Sequence, residues 1–174
     1  MLQTENLTLR PHVPAHLLAL RESEERYQQV SGNVPTPGIR DFLLMASPRF
    51  FESLQTATEP DPWKFGFAVF HNTDGCVIGL CGFAGYPDST GCVELGYSIV
   101  PCCQGKGYAT ETAQALIQFA KESGRALKVC AHTLAERNAS TRVLEKCGFV
   151  KVDEIIYPEG KWVWKWERLI TKHE

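Results

Sequence analysis

Apolar residues along this chain recur with two different periods, and the switches between them mark out its elements. Residues 4–10 (TENLTLR) set Leu7 and Leu9 between polar neighbours, the alternation of a half-buried strand. Residues 14–29 carry Leu17, Leu18 and Leu20 ahead of a charged run over 21–26, which predicts a helix. Two prolines and two glycines in residues 30–38 (VSGNVPTPG) make a loop. Residues 41–46 are helical in pattern. Ser47-Pro48 then supplies an N-cap and a proline at the first helical position of a second piece reaching Leu54. Residues 56–63 form another loop.

The middle of the chain turns to strands. Residues 65–70 and 76–83 are apolar and β-like, and Asn72-Thr73-Asp74-Gly75 between them is a hairpin signal. Residues 85–91 turn the chain into a third strand at 93–100, completing an antiparallel meander. After Pro101 comes the small-residue turn Gln104-Gly105-Lys106-Gly107-Tyr108-Ala109. From Ala109 to Glu122 the apolar positions fall at Ala109, Ala113, Leu116, Ile117 and Ala120, with polar residues between, so one helical face is buried and one wet. Gly124 closes that helix, and residues 126–131 make the next strand. Asn138 caps a short helix with an apolar face of Ala139, Val143, Leu144 and Cys147, ended by Gly148. Residues 149–157 and 161–169 form a closing hairpin over Pro158-Glu159-Gly160. Trp162, Trp164 and Trp166 share one face of the last strand, a stripe suited to core or helix packing before any use as an acceptor-pocket wall.

The resulting order is strand, helices, three strands, helix, strand, helix, two strands. Only the step across the glycine-turn helix reads as a β-α-β unit, so the fold class is α/β with a mixed, mostly antiparallel sheet flanked by helices. A length of 174 residues suits a single domain over residues 1–174. Charge changes the picture by exclusion. Eighteen basic residues balance twenty acidic ones without a basic run, so neither nucleic acid nor an anionic membrane is the expected partner. No apolar run approaches the ~18 residues of a membrane span. Seven cysteines without C-x-x-C spacing or a leading signal peptide are read as free thiols of a cytoplasmic protein that binds no metal.

A strand feeding a Gly-x-Gly turn that opens a helix presents unpaired N–H groups and a positive dipole end, which suit a phosphate or pyrophosphate. A P-loop would need G-x-x-x-x-G-K-[ST], which is absent. A dinucleotide fingerprint would need a glycine where Thr110 stands, and an acidic residue on the next strand, which instead runs into His132. What remains resembles the pyrophosphate turn of the GNAT-type N-acetyltransferases. E-L-G-Y before the turn, G-K-G-Y-A-T-E at it, and S-T-R-V-L-E-K-C-G-F downstream are similar to the branch containing the ribosomal-protein N-terminal acetyltransferases. The likeness covers residues 93–149, and residues 4–10 resemble the opening strand of the same branch.

That resemblance implies acetyl-CoA as acetyl donor and a primary amine as acceptor, either a protein N-terminus or a small molecule, with direct attack on the thioester. It also implies a fold in which the strands on either side of the cofactor helix splay apart. The backbone of Gln104, Gly105, Lys106, Gly107, Tyr108, Ala109 and Thr110 would hold the pyrophosphate, with glycine needed where the main chain approaches closely. Ser98, Ile99 and Val100 would lie beside the thioester, the Ile99 N–H meeting the developing oxyanion. Glu94, between Val93 and Leu95, is the candidate base, since an amine must lose a proton before it attacks. A strand carboxylate paired with arginine or facing solvent is the plainer reading. His71 and His132, each at a strand end, are read as exposed or structural.

Ser140 stands eight residues before Gly148, the family spacing for the thiolate's proton donor. The family asparagine three residues before it is here Arg137, with Asn138 displaced by one. Asn138 therefore either contacts the pantetheine from a shifted backbone or is only an N-cap. Cys102 stands where relatives outside this branch carry Arg or Gln. A non-catalytic acyl-CoA-binding domain is the alternative to an enzyme, and a homodimer is left open. Loops 30–38 and 84–91 are expected to shape the acceptor pocket, without an acidic cluster to announce a polycation.

Overall fold

The computed structural model describes residues 1–170. A two-residue strand, β1 (Leu2–Gln3), pairs with β2 (Leu7–Pro11), whose Leu7 and Leu9 are fully buried. The helix expected over 14–29 is two helices, α1 (Pro14–Glu22) and α2 (Glu24–Ser31). Ser23 separates them: its N–H donates back to Ala19 O, while its hydroxyl accepts from the Arg26 N–H and starts the next helix. Then come α3 (Ile39–Leu44) and α4 (Pro48–Thr56), the latter capped by Ser47 as the Ser-Pro pair predicts. One further helix, α5 (Pro62–Phe65), occupies the end of the stretch read as loop. There Asp61 accepts from two N–H groups and Pro62 takes the first turn.

The meander is β3 (Phe67–His71), β4 (Val77–Phe83) and β5 (Cys92–Ile99). A 3-10 turn at Pro101–Cys103 leads to α6 (Tyr108–Glu122), followed by β6 (Lys128–Leu134), α7 (Ala139–Lys146), β7 (Val150–Ile156) and β8 (Trp162–Leu169). All eight strands form one sheet in the order β1-β2-β3-β4-β5-β6-β8-β7, antiparallel except where β5 meets β6. That one parallel step confirms the β-α-β unit across α6.

The parallel pair is short. Cys92, Val93 and Glu94 face Lys128, Val129 and Cys130, and the pairing ends there. β5 runs on to Ile99 bonded only to β4, while β6 runs on to Leu134 bonded only to β8. The sheet therefore opens into a V with Glu94 and Cys130 at its apex, the splay that the resemblance implies. Alternation along β5 decides which amides face the opening. Glu94 O accepts from the Ala84 N–H and the Val100 N–H donates to Ile78 O, both bonds belonging to the β4 side. By the antiparallel alternation, the N–H groups of Tyr97 and Ile99 then face the V.

Helix α6 packs against the sheet beside the V. Ala113, Leu116 and Ala120 of α6 are fully buried, and Phe119 sits 5.4 Å from Phe67, 5.8 Å from Phe83 and 5.2 Å from Trp63 by ring centroids. Full burial of a side chain such as Leu116 contributes about 1.5–3 kcal/mol. The tryptophan stripe does pack as core at one end: Trp166 is buried and its indole N–H donates to Thr133 Oγ1 at 3.0 Å. Its other end is exposed at Trp162, with Trp164 between them under the Lys151 ammonium. All seven cysteines are free, with Cys102 and Cys103 Sγ atoms 3.8 Å apart. Among the described residues no helix is long and apolar enough to cross a membrane.

Candidate active site

The glycine turn has the geometry of an anion cradle. Gly105 and Gly107 both adopt positive φ, 76° and 84°, which a side chain would resist, and a Cβ at either would point into open space. Gly107 caps α6 without a side-chain bond, and among the described residues no protein acceptor takes the N–H groups from Gly105 to Thr110. Free amides at the head of a fifteen-residue helix, with room in front of them, fit a pyrophosphate. Two contacts hold that helix end in place. Glu111 accepts from the Thr4 hydroxyl, the Asn6 N–H and the Asn6 side-chain amide, tying the N-terminal hairpin to the first turn of α6. Partial burial raises its pKa, but these bonds outweigh it and hold the carboxyl below its ordinary range. His71 bonds Tyr108 Oη through Nε2 and Asp74 through Nδ1, each at 2.9 Å, so this histidine is structural.

A cleft of about 600 Å³ runs from this turn along the free end of β5 to the first turns of α7. Ser98, Ile99, Gln104, Gly105, Gly107, Tyr108, Ala109, Thr110 and Ser140 all line it. Val100, Lys106, Asn138 and the candidate base Glu94 do not. Val100 has its side chain in the core and its N–H on Ile78 O, so it has no free amide to offer. Lys106 is exposed between the two glycines. Asn138 is the N-cap of α7: its Oδ1 accepts from the Thr141 N–H at 3.1 Å, and Thr141 Oγ1 accepts from the Asn138 N–H at 3.0 Å. The Ile99 carbonyl accepts from Gln104 Nε2 at 2.9 Å, so the turn also braces the strand end.

Sequence reasoning missed several lining residues. Arg142 and Lys146 lie one turn apart on α7 and bring positive charge to the cleft; their i, i+4 spacing after the Asn138 cap was the available signal. Tyr97 lines the cleft too, and burial, then the nearby Cys147 thiol, pushes its phenol well above the ordinary range, leaving it a neutral hydrogen-bonding group. Phe42, Cys103, Ala139 and Val143 complete the wall.

The apex of the V holds the second cluster. Glu94 Oε1 lies 2.7 Å from His132 Nδ1. The carboxylate side chain is 42% exposed and the imidazole 19%. The Tyr157 ring stands 6.4 Å from that of His132. Glu94 is therefore neither arginine-paired nor simply solvated, and its partner is one of the two histidines read as exposed or structural. This pair cannot be seen in the sequence because it depends on the parallel register of β5 and β6.

Solved structures share this fold over nearly all of the chain. The Vibrio cholerae spermidine N-acetyltransferase, crystallised in complex with CoA and spermine, superposes with a TM-score of 0.66 at 19% identity, covering 97% of this chain and 98% of that one. The ribosomal-protein-S5-alanine acetyltransferase of Vibrio fischeri gives 0.64 at 16% identity over 97% and 95%. In sequence, an uncharacterized N-acetyltransferase of Bacillus subtilis, YjdG, is 34% identical over 74 residues, so the match spans 42% of this chain and 44% of that relative. A family model described as an acetyltransferase (GNAT) domain matches residues 6–150, and the chain belongs to that family.

Proposed function

We propose that residues 1–174 are one catalytic unit, an acetyl-CoA-dependent N-acetyltransferase that acetylates a primary amine. The observation that carries this reading is the V itself. Free backbone amides from Gly105 to Thr110 lie at its mouth, and a carboxylate–imidazole pair lies at its apex. Acetyl-CoA supplies the activated acetyl thioester. The amides of Gly105 to Thr110 bind its pyrophosphate, and Arg142 and Lys146 add charge toward its phosphates. Ile99 and Tyr97 N–H groups face the slot in which the pantetheine arm would lie.

Distance along the strand selects between those two amides for the oxyanion. At about 3.3 Å per residue the Ile99 N–H lies about 16 Å beyond Glu94, and the Tyr97 N–H about 10 Å. An amine held between base and carbonyl spans the shorter gap, so the Tyr97 N–H meets the charge growing on the thioester oxygen, and Ile99 serves the arm above it. The Glu94–His132 pair receives the amine proton. Ser140, exposed in the first turn of α7 and lining the cleft, protonates the departing thiolate.

A spermidine acetyltransferase and a ribosomal-protein acetyltransferase superpose almost equally well, so overall shape does not choose between a small polyamine and a protein N-terminus. The test is a panel of polyamines, amino sugars and N-terminal peptides, read by free-thiol release from acetyl-CoA. Release with at least one amine supports the enzyme. Thermal stabilisation by acetyl-CoA with no release from any amine would instead make the chain an acyl-CoA-binding protein.

A further inference from the structure

Resting on that reading, we infer that His132 Nε2 takes the proton from the attacking amine, and that Glu94 positions the imidazole rather than acting as the base itself. The tautomer follows from the bond at the apex. A carboxylate only accepts, so the 2.7 Å contact places the proton on His132 Nδ1 and leaves the neutral ring's lone pair on Nε2. Among the described residues Nε2 has no hydrogen-bond partner, although the side chain is only 19% exposed.

Register places that nitrogen's residue nearer the chemistry than Glu94. The last parallel pair sets Glu94 against Cys130. His132, two residues further along β6, stands on the opposite wall of the V, level in sequence step with Gly96. Its Cα is about 7 Å further along the strand direction than the backbone position paired with Glu94, and the side chains meet across that step. The strand opposite leaves room there, because a Cβ on Gly96 would meet nothing within 4 Å. The lysines near the ring are paired with a carboxylate of their own. Lys165, directly across β8 from His132, bonds Glu167 at 3.1 Å, and Glu167 also holds Lys128 at 3.0 Å. Cys92 and Cys130 share this sheet face, Asp153 of β7 is set against Lys165, and Tyr157 lies beside the ring. Of these groups, Glu94 alone bonds the imidazole.

In the step this implies, the amine nitrogen bonds the acetyl carbon as the carbon–sulfur bond breaks. The amine proton passes to His132 Nε2, and the thiolate takes the Ser140 hydroxyl proton. Water then returns a proton to Ser140 and accepts the one on His132, which balances the turnover.

The test compares His132→Gln, Glu94→Gln and the double variant with the parent, using an amine the parent accepts. His132→Gln is expected to lower kcat by ~10³ and to remove the acid limb of the pH–rate profile, with the KM for acetyl-CoA within about threefold. Glu94→Gln should cost ~10² and displace that limb. The double variant should cost no more than His132→Gln alone, because the two residues act as one unit. Long-range ¹H–¹⁵N spectra of the whole chain should show the His132 proton on Nδ1. Overturning results are His132→Gln within threefold of the parent, single-variant losses that multiply in the double, or a neutral ring protonated at Nε2. A parent that acetylates no amine would count against the proposed enzyme instead, and the tautomer spectrum would still decide the pairing.

Discussion

The mouth and the apex of the V are built from different materials. At the mouth the groups proposed to bind the cofactor are backbone amides from one run of six residues, Gly105 to Thr110, held by two positive-φ glycines and a helix start. At the apex the groups proposed to work are two side chains 38 positions apart, joined only because β5 and β6 pair in parallel for three residues and then separate. Substitution should therefore act differently at the two ends. At the mouth a change matters through shape, since the side chain itself does no chemistry. At the apex shape can be kept while the chemistry is removed.

Gly107→Val breaks the mouth by shape alone. A β-branched residue at φ 84° is strained, and its side chain would occupy the space before the free amides. Acetyl-CoA at 100 times the parent Kd should stabilise the parent by about 2.7 kcal/mol in thermal melts. That shift should vanish in the variant, with far-UV circular dichroism unchanged. An undiminished shift would move the pyrophosphate elsewhere. Glu94→Gln does the converse at the apex: turnover should fall by ~10² while acetyl-CoA affinity stays within a few-fold. Parental turnover at neutral pH would make the apex pair structural.

The same contrast explains what could be read from the chain. The glycine turn, the Ser47-Pro48 start, the Asn72–Gly75 hairpin and the helix from residue 109 are local, written in neighbouring residues, and the structure has them close to where they were expected. Local signals also explain the misses: Ser23 serves as cap to two helices, so a continuous apolar–charged pattern over 14–29 concealed a break. The Glu94 position was marked by its motif. Its partner was not, because no local pattern states how far two parallel strands stay paired. Asn138 was legible as a cap, and the capping box with Thr141 is what the structure has.

A buried histidine sets the pH range in which the two ends can be compared. His12, 5% exposed, has its pKa lowered from 6.5 to about 3, by burial first and then by repulsion from His16. The unfolded chain therefore binds a proton that the folded chain refuses. The stability His12 contributes is complete above pH 6.5 and is lost as pH falls from there toward 3, at about 1.4 kcal/mol per unit. Urea unfolding at pH 5 should show about 2 kcal/mol less stability than at pH 7.5 from this residue, and His12→Phe should remove that part of the slope. An unchanged slope would place the ring in contact with water. Acid limbs measured on apex variants are interpretable only where melts show the chain still folded.

Ser140→Ala should give the smallest effect, because Ser140 belongs to neither material. It is a side chain, as at the apex, yet it sits exposed on the wall of the mouth, where water can reach whatever the serine reaches. In the proposed reaction its hydroxyl donates a proton to a thiolate whose conjugate acid has a pKa near 8.5, a demand that water can also meet. The expected loss is about tenfold at neutral pH, with acetyl-CoA binding unchanged. It should shrink as pH rises past about 8.5, where the thiolate departs without protonation. Glu94→Gln should also recover with pH, but for another reason: more amine then arrives already deprotonated. The two recoveries separate on varying the acceptor. The midpoint for Glu94→Gln should follow the pKa of the amine, and that for Ser140→Ala should stay with the thiol. A Ser140→Ala deficit that is constant with pH, or that tracks the amine, would take the serine out of thiolate protonation and leave it as a wall of the cleft.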